Sequence, residues 1–292
     1  MKSIDVFCVF PEAVEAAVRV GVVGRAIERG VISLRTYGLR EYAPKGRIDD
    51  MPFGGGAGMV VRVDVVARAF EVVYGVPARV VREKRRVILT EPGGRTLTQG
   101  YVRELAEDLS GDRCLTIVCG RYGGMDERVS KALATEAVSL GDFVLSGGEI
   151  VAAALSDAVI RLLGGVLGNE ESLIGESFSR EGALGPPQYT RPAVWDGEEV
   201  PAVLLSGNHA EIHAWRESVT RSRAGSRAQS DTKTGSRREA EEEPPPSSTR
   251  TSSERGDEYD HERYDIFERR PLERRRVQTG GHGASQLPGH RG

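Results

Sequence analysis

Apolar positions over the first 216 residues fall into short β-type runs that alternate with stretches of helical period. Residues 3–10 read as a strand, and Pro11 opens a helix with Ala13, Val14, Ala17 and Val18 on one face. Gly21 and Gly24 interrupt it, and a second helical piece ends at Gly30. A strand over 31–37 and a helix over 63–73 follow, then a strand over 86–90. Thr98 caps a helix in which Val102, Leu105, Ala106 and Leu109 share a face, and 114–119 is again a strand. Another helix starts near 125–129. A β-type run at Val138–Leu140 and a second apolar run at Phe143–Leu145 lead into a strongly apolar helix over 149–163, which carries Asp157 and Arg161. Strands alternating with helices predict a largely parallel α/β sheet, with ligands beyond the carboxyl ends of its strands.

Three of those strand ends are glycine-rich: RVILTEPGG (86–94), CLTIVCGRYGG (114–124) and SLGDFVLSGGE (139–149). Glycine serves where a backbone needs positive φ or where something must approach it closely. Any one of these stretches is equally an ordinary strand–turn–helix corner, but three in one domain could line a single pocket. A further glycine run, Gly54–Gly58, lacks the Gly-Lys-Ser/Thr of a P-loop and the dinucleotide fingerprint. It reads either as a flexible surface loop or, with Arg47, Asp49 and Asp50 just upstream, as a loop that contacts substrate.

Composition separates two parts of the 292-residue chain. The region before about residue 216 can bury a core. From Glu217 the chain is rich in Arg, Glu, Ser, Pro and Gly and reads as disordered, because it cannot bury enough apolar surface to offset chain entropy. Residues 164–192 lack periodicity and read as a linker or a lid, whereas 200–216 combine an apolar run, a Gly-Asn turn and a helix start. A net charge of −3 excludes a polybasic nucleic-acid binder while leaving room for a local basic surface. Cys8, Cys114 and Cys119 sit in strand patterns without metal-ligand spacing, which fits a reduced cytoplasmic setting. The first strand is no signal peptide, and no run reaches the roughly 18 apolar residues of a membrane span.

These stretches together resemble the bacterial tRNA (guanine-37-N1)-methyltransferases of the SPOUT superfamily. The resemblance lies in FPE (10–12), GRAIERG (24–30), IDDMPFGGGAGM (48–59), CGRYGGMDERV (119–129) and SLGDFVLSGGE (139–149), extended by PQYTRP (187–192) and VPAVLLSGNHAEIHAWR (200–216). It implies a parallel-sheet domain over 1–163 with a deep C-terminal trefoil knot, a flexible linker or lid over 164–186, and a truncated or diverged remnant of a tRNA-binding C-terminal domain over 187–216. A low-complexity tail over 217–292 would follow. It also implies a homodimer with active sites built from both chains, S-adenosyl-L-methionine (AdoMet) as cofactor, a magnesium ion whose ligands no carboxylate cluster here identifies, and the anticodon arm of tRNA as partner.

Carried over by position, the cofactor residues are Leu89, Pro92, Gly93 and Gly94, then Gly120 and Tyr122, then Leu140, Gly141, Asp142, Phe143, Val144, Leu145, Gly147 and Gly148. Asp49, Asp50, Gly58 and His209 would meet tRNA. Guanine N1 carries a proton, so a general base must remove it as the methyl group arrives, and the charge that develops at O6 calls for a fixed cation. The resemblance places Arg161 as that cation and Glu176 as the base, where the family has an aspartate. The family also has a glutamate in CGRYEG where this chain has Gly123. These departures leave a second expectation open, a catalytically inactive protein that binds AdoMet or tRNA. A nicotinamide-dependent enzyme is disfavoured, because the glycine fingerprint and its acidic partner are missing.

Overall fold

Near-continuous apolar runs bounded by turns make strands that are covered on both faces, and the longer amphipathic runs supply the covering helices. The computed structural model describes residues 2–111, 113–168, 173, 175–179 and 183–238, with side chains up to residue 223. The first half of the chain comprises β1 (Ser3–Cys8), α1 (Pro11–Val18), α2 (Gly21–Glu28), β2 (Ser33–Gly38), α3 (Leu39–Tyr42), β3 (Asp49–Asp50), β4 (Val60–Val61), α4 (Val63–Tyr74) and α5 (Ala78–Lys84). There follow β5 (Arg86–Thr96), α6 (Gln99–Ser110), β6 (Leu115–Cys119), α7 (Glu127–Ala132), β7 (Glu136–Ser139) and α8 (Glu149–Ile160). The C-terminal elements are β8 (Val194–Trp195), β9 (Glu198–Glu199), α9 (Ala202–Leu205) and α10 (His209–Arg238).

The main sheet has five strands in the order β2-β1-β6-β5-β7, and every neighbouring pair is parallel. The two-residue period of β1 feeds two cores. Ile4, Val6 and Cys8 pack with Val14, Val23, Leu105 and Leu155 on one side, while Phe7 packs with Val66, Phe70, Val81 and Val129 on the other. Asp5 is the polar exception. Its carboxylate is fully buried yet accepts hydrogen bonds from Arg35 at 2.8 Å, Arg85 at 2.7 Å and the Tyr74 hydroxyl at 3.2 Å. A buried charge is tolerated when it is paired in this way. Burial, with Asp5 adding to it, pushes the Tyr74 phenol well above its usual pKa. All three cysteines are free thiols, and burial raises that of Cys119.

The structure departs from the sequence reading mostly at element ends. β7 stops at Ser139, Phe143–Leu145 are irregular and not a strand, and α8 ends at Ile160, where Leu162 and Leu163 tighten the last turn by bonding the carbonyls of Val159 and Ile160. Helices α3 and α5 and the β3–β4 pair were not anticipated, being too short for a period to declare itself. The larger departure is α10, which crosses the compositional boundary at Glu217 and continues to Arg238. Composition argued only that this segment buries little. A helix launched at the Asn208 cap needs no core to continue through a proline-free stretch, and Glu217 and Arg221 approach to 3.9 Å one turn apart. Residues 239–292 of the expected tail lie outside the described residues. Among the described residues no helix is long and apolar enough to cross a membrane.

Candidate active site

The first glycine-rich end is not a simple strand terminus. Thr90 and Arg95 both pair with Val138, so residues 91–94 bulge out of β5 before the strand resumes. Gly94 passes so close to β7 that a β-carbon there would lie 2.4 Å from the Val138 amide nitrogen. The second end meets the first where the Gly120 amide donates to Thr90 Oγ1 at 3.1 Å. The third joins them where the Gly148 amide donates to the Gly120 carbonyl at 2.8 Å. A β-carbon on Gly148 would stand 1.8 Å from Thr90 Oγ1, so only glycine fits at that junction.

Around this junction the three ends enclose a cavity of about 310 Å³. All but three of the fourteen residues expected to hold cofactor line it; Gly93, Gly94 and Asp142 do not. Leu89, Leu140 and Leu145 give the cavity an apolar lining beside glycine main chain.

Sequence reasoning passed over the groups that brace this cavity. Glu149, buried at the start of α8, accepts from the amides of Val9 and Phe10, each at 3.3 Å, and from Arg121 at 3.3 Å. Arg121 lies over the Phe10 ring, 4.6 Å from its centroid. The signal that could have found Glu149 is an acid in the first turn of an otherwise apolar helix, where a buried charge demands partners. Tyr122 adopts a left-handed backbone with φ 59°, and its hydroxyl lies 3.5 Å from the Arg40 guanidinium.

The loop at 45–59 is anchored at its base to the same region. The Val61 amide bonds the Gly124 carbonyl at 3.0 Å, and the Gly123 amide bonds the Met59 carbonyl at 2.8 Å. Within the loop Asp49 is half-buried in β3, Asp50 pairs with Arg47 at 2.8 Å, and Gly58 has φ 93°. His209 is exposed at the first position of α10.

Arg161, immediately after α8, donates to Glu176 Oε1 at 2.6 Å, and this bond holds the guanidinium pKa above its ordinary value. The two residues expected to act on the base are therefore together. They do not meet the cofactor residues in one cavity: Glu176 lines a second space of about 280 Å³ against α6, which shares no lining residue with the first. Among the described residues, no group of three or more His, Cys, Asp or Glu could hold a metal ion.

The family model described as tRNA (Guanine-1)-methyltransferase TrmD matches residues 1–231. The chain belongs to that family. A tRNA (guanine-N(1)-)-methyltransferase of Cereibacter sphaeroides (strain KD131 / KCTC 12085) is 49% identical over 211 residues, covering 71% of this chain and 82% of the relative. One from Roseobacter denitrificans is 45% identical over 215 residues, covering 72% and 85%. Among solved structures, the tRNA (m1G37) methyltransferase of Aquifex aeolicus is similar with a TM-score of 0.58 and 40% identity, over 73% of this chain and 86% of that one. The TrmD match extends past Arg216 into α10, further than the motifs alone reach.

Proposed function

We propose that this chain transfers a methyl group from AdoMet to N1 of guanosine-37 in tRNAs that carry guanosine at positions 36 and 37. The observation that carries the reading is the junction of Thr90, Gly120 and Gly148, where three glycine-rich strand ends close on one cavity in a chain of the TrmD family. The cavity suits AdoMet because apolar side chains alternate with main chain from which no β-carbon intrudes, as a planar base and a polar tail both require. When bound there, AdoMet supplies an electrophilic methyl group on a sulfonium.

Glu176 takes the proton from guanine N1, and Arg161 meets the charge that develops at O6; its planar, permanently charged fork holds one geometry. Because Glu176 lines a different space from the cofactor cavity of its own chain, and Arg161 lines neither, a homodimer in which each chain completes the other's site accommodates both sets of residues. Asp49, Asp50 and Gly58 present the loop at 45–59 to the anticodon arm, and the C-terminal elements from 187 onward, with His209, extend that contact. The bulge at 91–94, the tight passage of Gly94 over Val138 and the start of α8 beside Thr90 are consistent with a deep trefoil knot within residues 1–163. The linker over 164–186, of which residues 169–172, 174 and 180–182 lie outside the described residues, serves to exclude water from the reacting groups. The resemblance also implies a magnesium ion; the described residues offer it no cluster, and no step here runs through one.

A second reading, a protein that binds AdoMet or tRNA without turnover, is favoured by Gly123. A β-carbon there would lie 2.9 Å from the Met59 carbonyl oxygen, so the family's glutamate would not fit this backbone unmoved. The test is methyl transfer by the purified full chain to tRNA bearing G36 and G37, with AdoMet and magnesium ion supplied. Formation of N1-methylguanosine at position 37 is expected. Cofactor binding without transfer would replace this reading with the second.

A further inference from the structure

We infer that Arg103, on α6, is a positioning residue for methyl transfer that seats the turn carrying Glu176; this rests on the base assignment above. Residues 176–179 form a tight turn closed by the Ser179 amide on the Glu176 carbonyl at 3.1 Å. Its third residue, Phe178, has φ 65°, a left-handed conformation that a bulky side chain adopts only when its surroundings enforce it. Those surroundings are on both sides of the peptide. The Phe178 amide donates to the Ala183 carbonyl at 2.6 Å, and the Phe178 carbonyl accepts from the Arg103 guanidinium. Ser177 Oγ accepts from the Gly185 amide at 3.1 Å.

The carboxylate of Glu176 is held from one direction by Arg161, and the main chain two residues on is held from another by Arg103. The two arginines stand on different supports. Arg161 caps α8, and Arg103 projects from α6, whose Tyr101, Val102, Leu105 and Leu109 are locked into the core. A general base on an irregular segment acts only if a rigid element fixes it, since misplacement by about 1 Å costs on the order of 100-fold in rate. Arg103 provides that fixture through the backbone and touches no reacting atom. The same contact sets the reach of Glu176, whose side chain is one methylene longer than the aspartate of the resembling enzymes.

The experiment compares the full chain with Arg103→Ala, Arg103→Lys and Glu176→Gln in single-turnover methyl transfer to tRNA bearing G36 and G37, at saturating AdoMet. Amide hydrogen exchange and AdoMet calorimetry are run on the same proteins. Arg103→Ala is expected to slow transfer by about 10- to 100-fold with AdoMet affinity within about twofold. Exchange at the Phe178 and Ser179 amides should rise while the strand amides of β5 and β6 stay protected. Arg103→Lys should recover most of the rate, because an ammonium also donates to a carbonyl. An unchanged rate in Arg103→Ala, or a loss matched by an equal loss of AdoMet affinity, overturns the inference. Full activity of Glu176→Gln would overturn the base assignment and the inference together. It is distinguishable from failure of the Arg103 role alone, in which Glu176→Gln is slow and Arg103→Ala is not.

Discussion

Two cavities of this protein, one at the strand ends and one against α6, are built in opposite ways. The first, at the ends of β5, β6 and β7, is made of main chain approaching main chain, with glycines wherever a β-carbon would collide. The second, between α6 and the turn at 175–179, is made by side chains: Arg103 reaches from α6 to the Phe178 carbonyl, and Glu176, which lines the space, is held from behind by Arg161. The difference is one of tolerance. A backbone cradle fails when a single carbon is added, whereas a side-chain clasp fails when a single partner is removed. In the proposed reaction, cofactor binding falls to the first and proton movement to the second.

The sharpest way to break this contrast is Gly148→Ala. The added carbon would sit 1.8 Å from Thr90 Oγ1 and 3.0 Å from both Thr90 Cβ and the Gly120 nitrogen, so swinging the hydroxyl away leaves it crowded and breaks the bond that joins the first two strand ends. Loss of measurable AdoMet binding by calorimetry is expected, with a drop in melting temperature, since overpacking typically costs about 1–3 kcal/mol or more. Retained affinity would show that the junction is not what shapes the cradle. Arg161→Ala is the corresponding lesion in the side-chain clasp. It should lower single-turnover transfer by about 100-fold while AdoMet affinity stays within about twofold. Collapse of cofactor binding instead would place Arg161 on the wrong side of the comparison. Gly123→Ala gives the mildest of the three effects. Its β-carbon would meet one main-chain atom, the Met59 carbonyl oxygen, at 2.9 Å, a far smaller overlap than the 1.8 Å at Gly148, so AdoMet affinity should weaken by about fivefold, roughly 1 kcal/mol. A gain in affinity there would mean that the loop sits too close to the cavity in the unaltered chain.

The same contrast explains what the amino-acid sequence made legible. Strands announced themselves through apolar runs, and the cradle through glycines at their ends, because the steric need is local and only one residue type meets it. The Thr98 cap was readable for a similar reason: its Oγ1 accepts from the Tyr101 amide at 3.3 Å, three residues along. Partnerships across long separations left no such trace. Nothing near Glu149 says that it will bind the amides of Val9 and Phe10, and nothing near Phe178 names Arg103. The positions of Arg161 and Glu176 came from resemblance to a family, not from pattern. The extent of α10 leaves no trace in apolar content, which limits burial and not helix formation.

The bonds from Val9 and Phe10 to Glu149 span 140 and 139 residues of chain. On the ribosome, the first strand is therefore synthesised long before the carboxylate that satisfies its exit can appear. Until α8 emerges, those two amides must be hydrated, and the Phe10 ring lacks the Arg121 guanidinium that the same carboxylate steadies. β1 and its exit are thus made early and completed late, which favours folding after most of the domain has been translated.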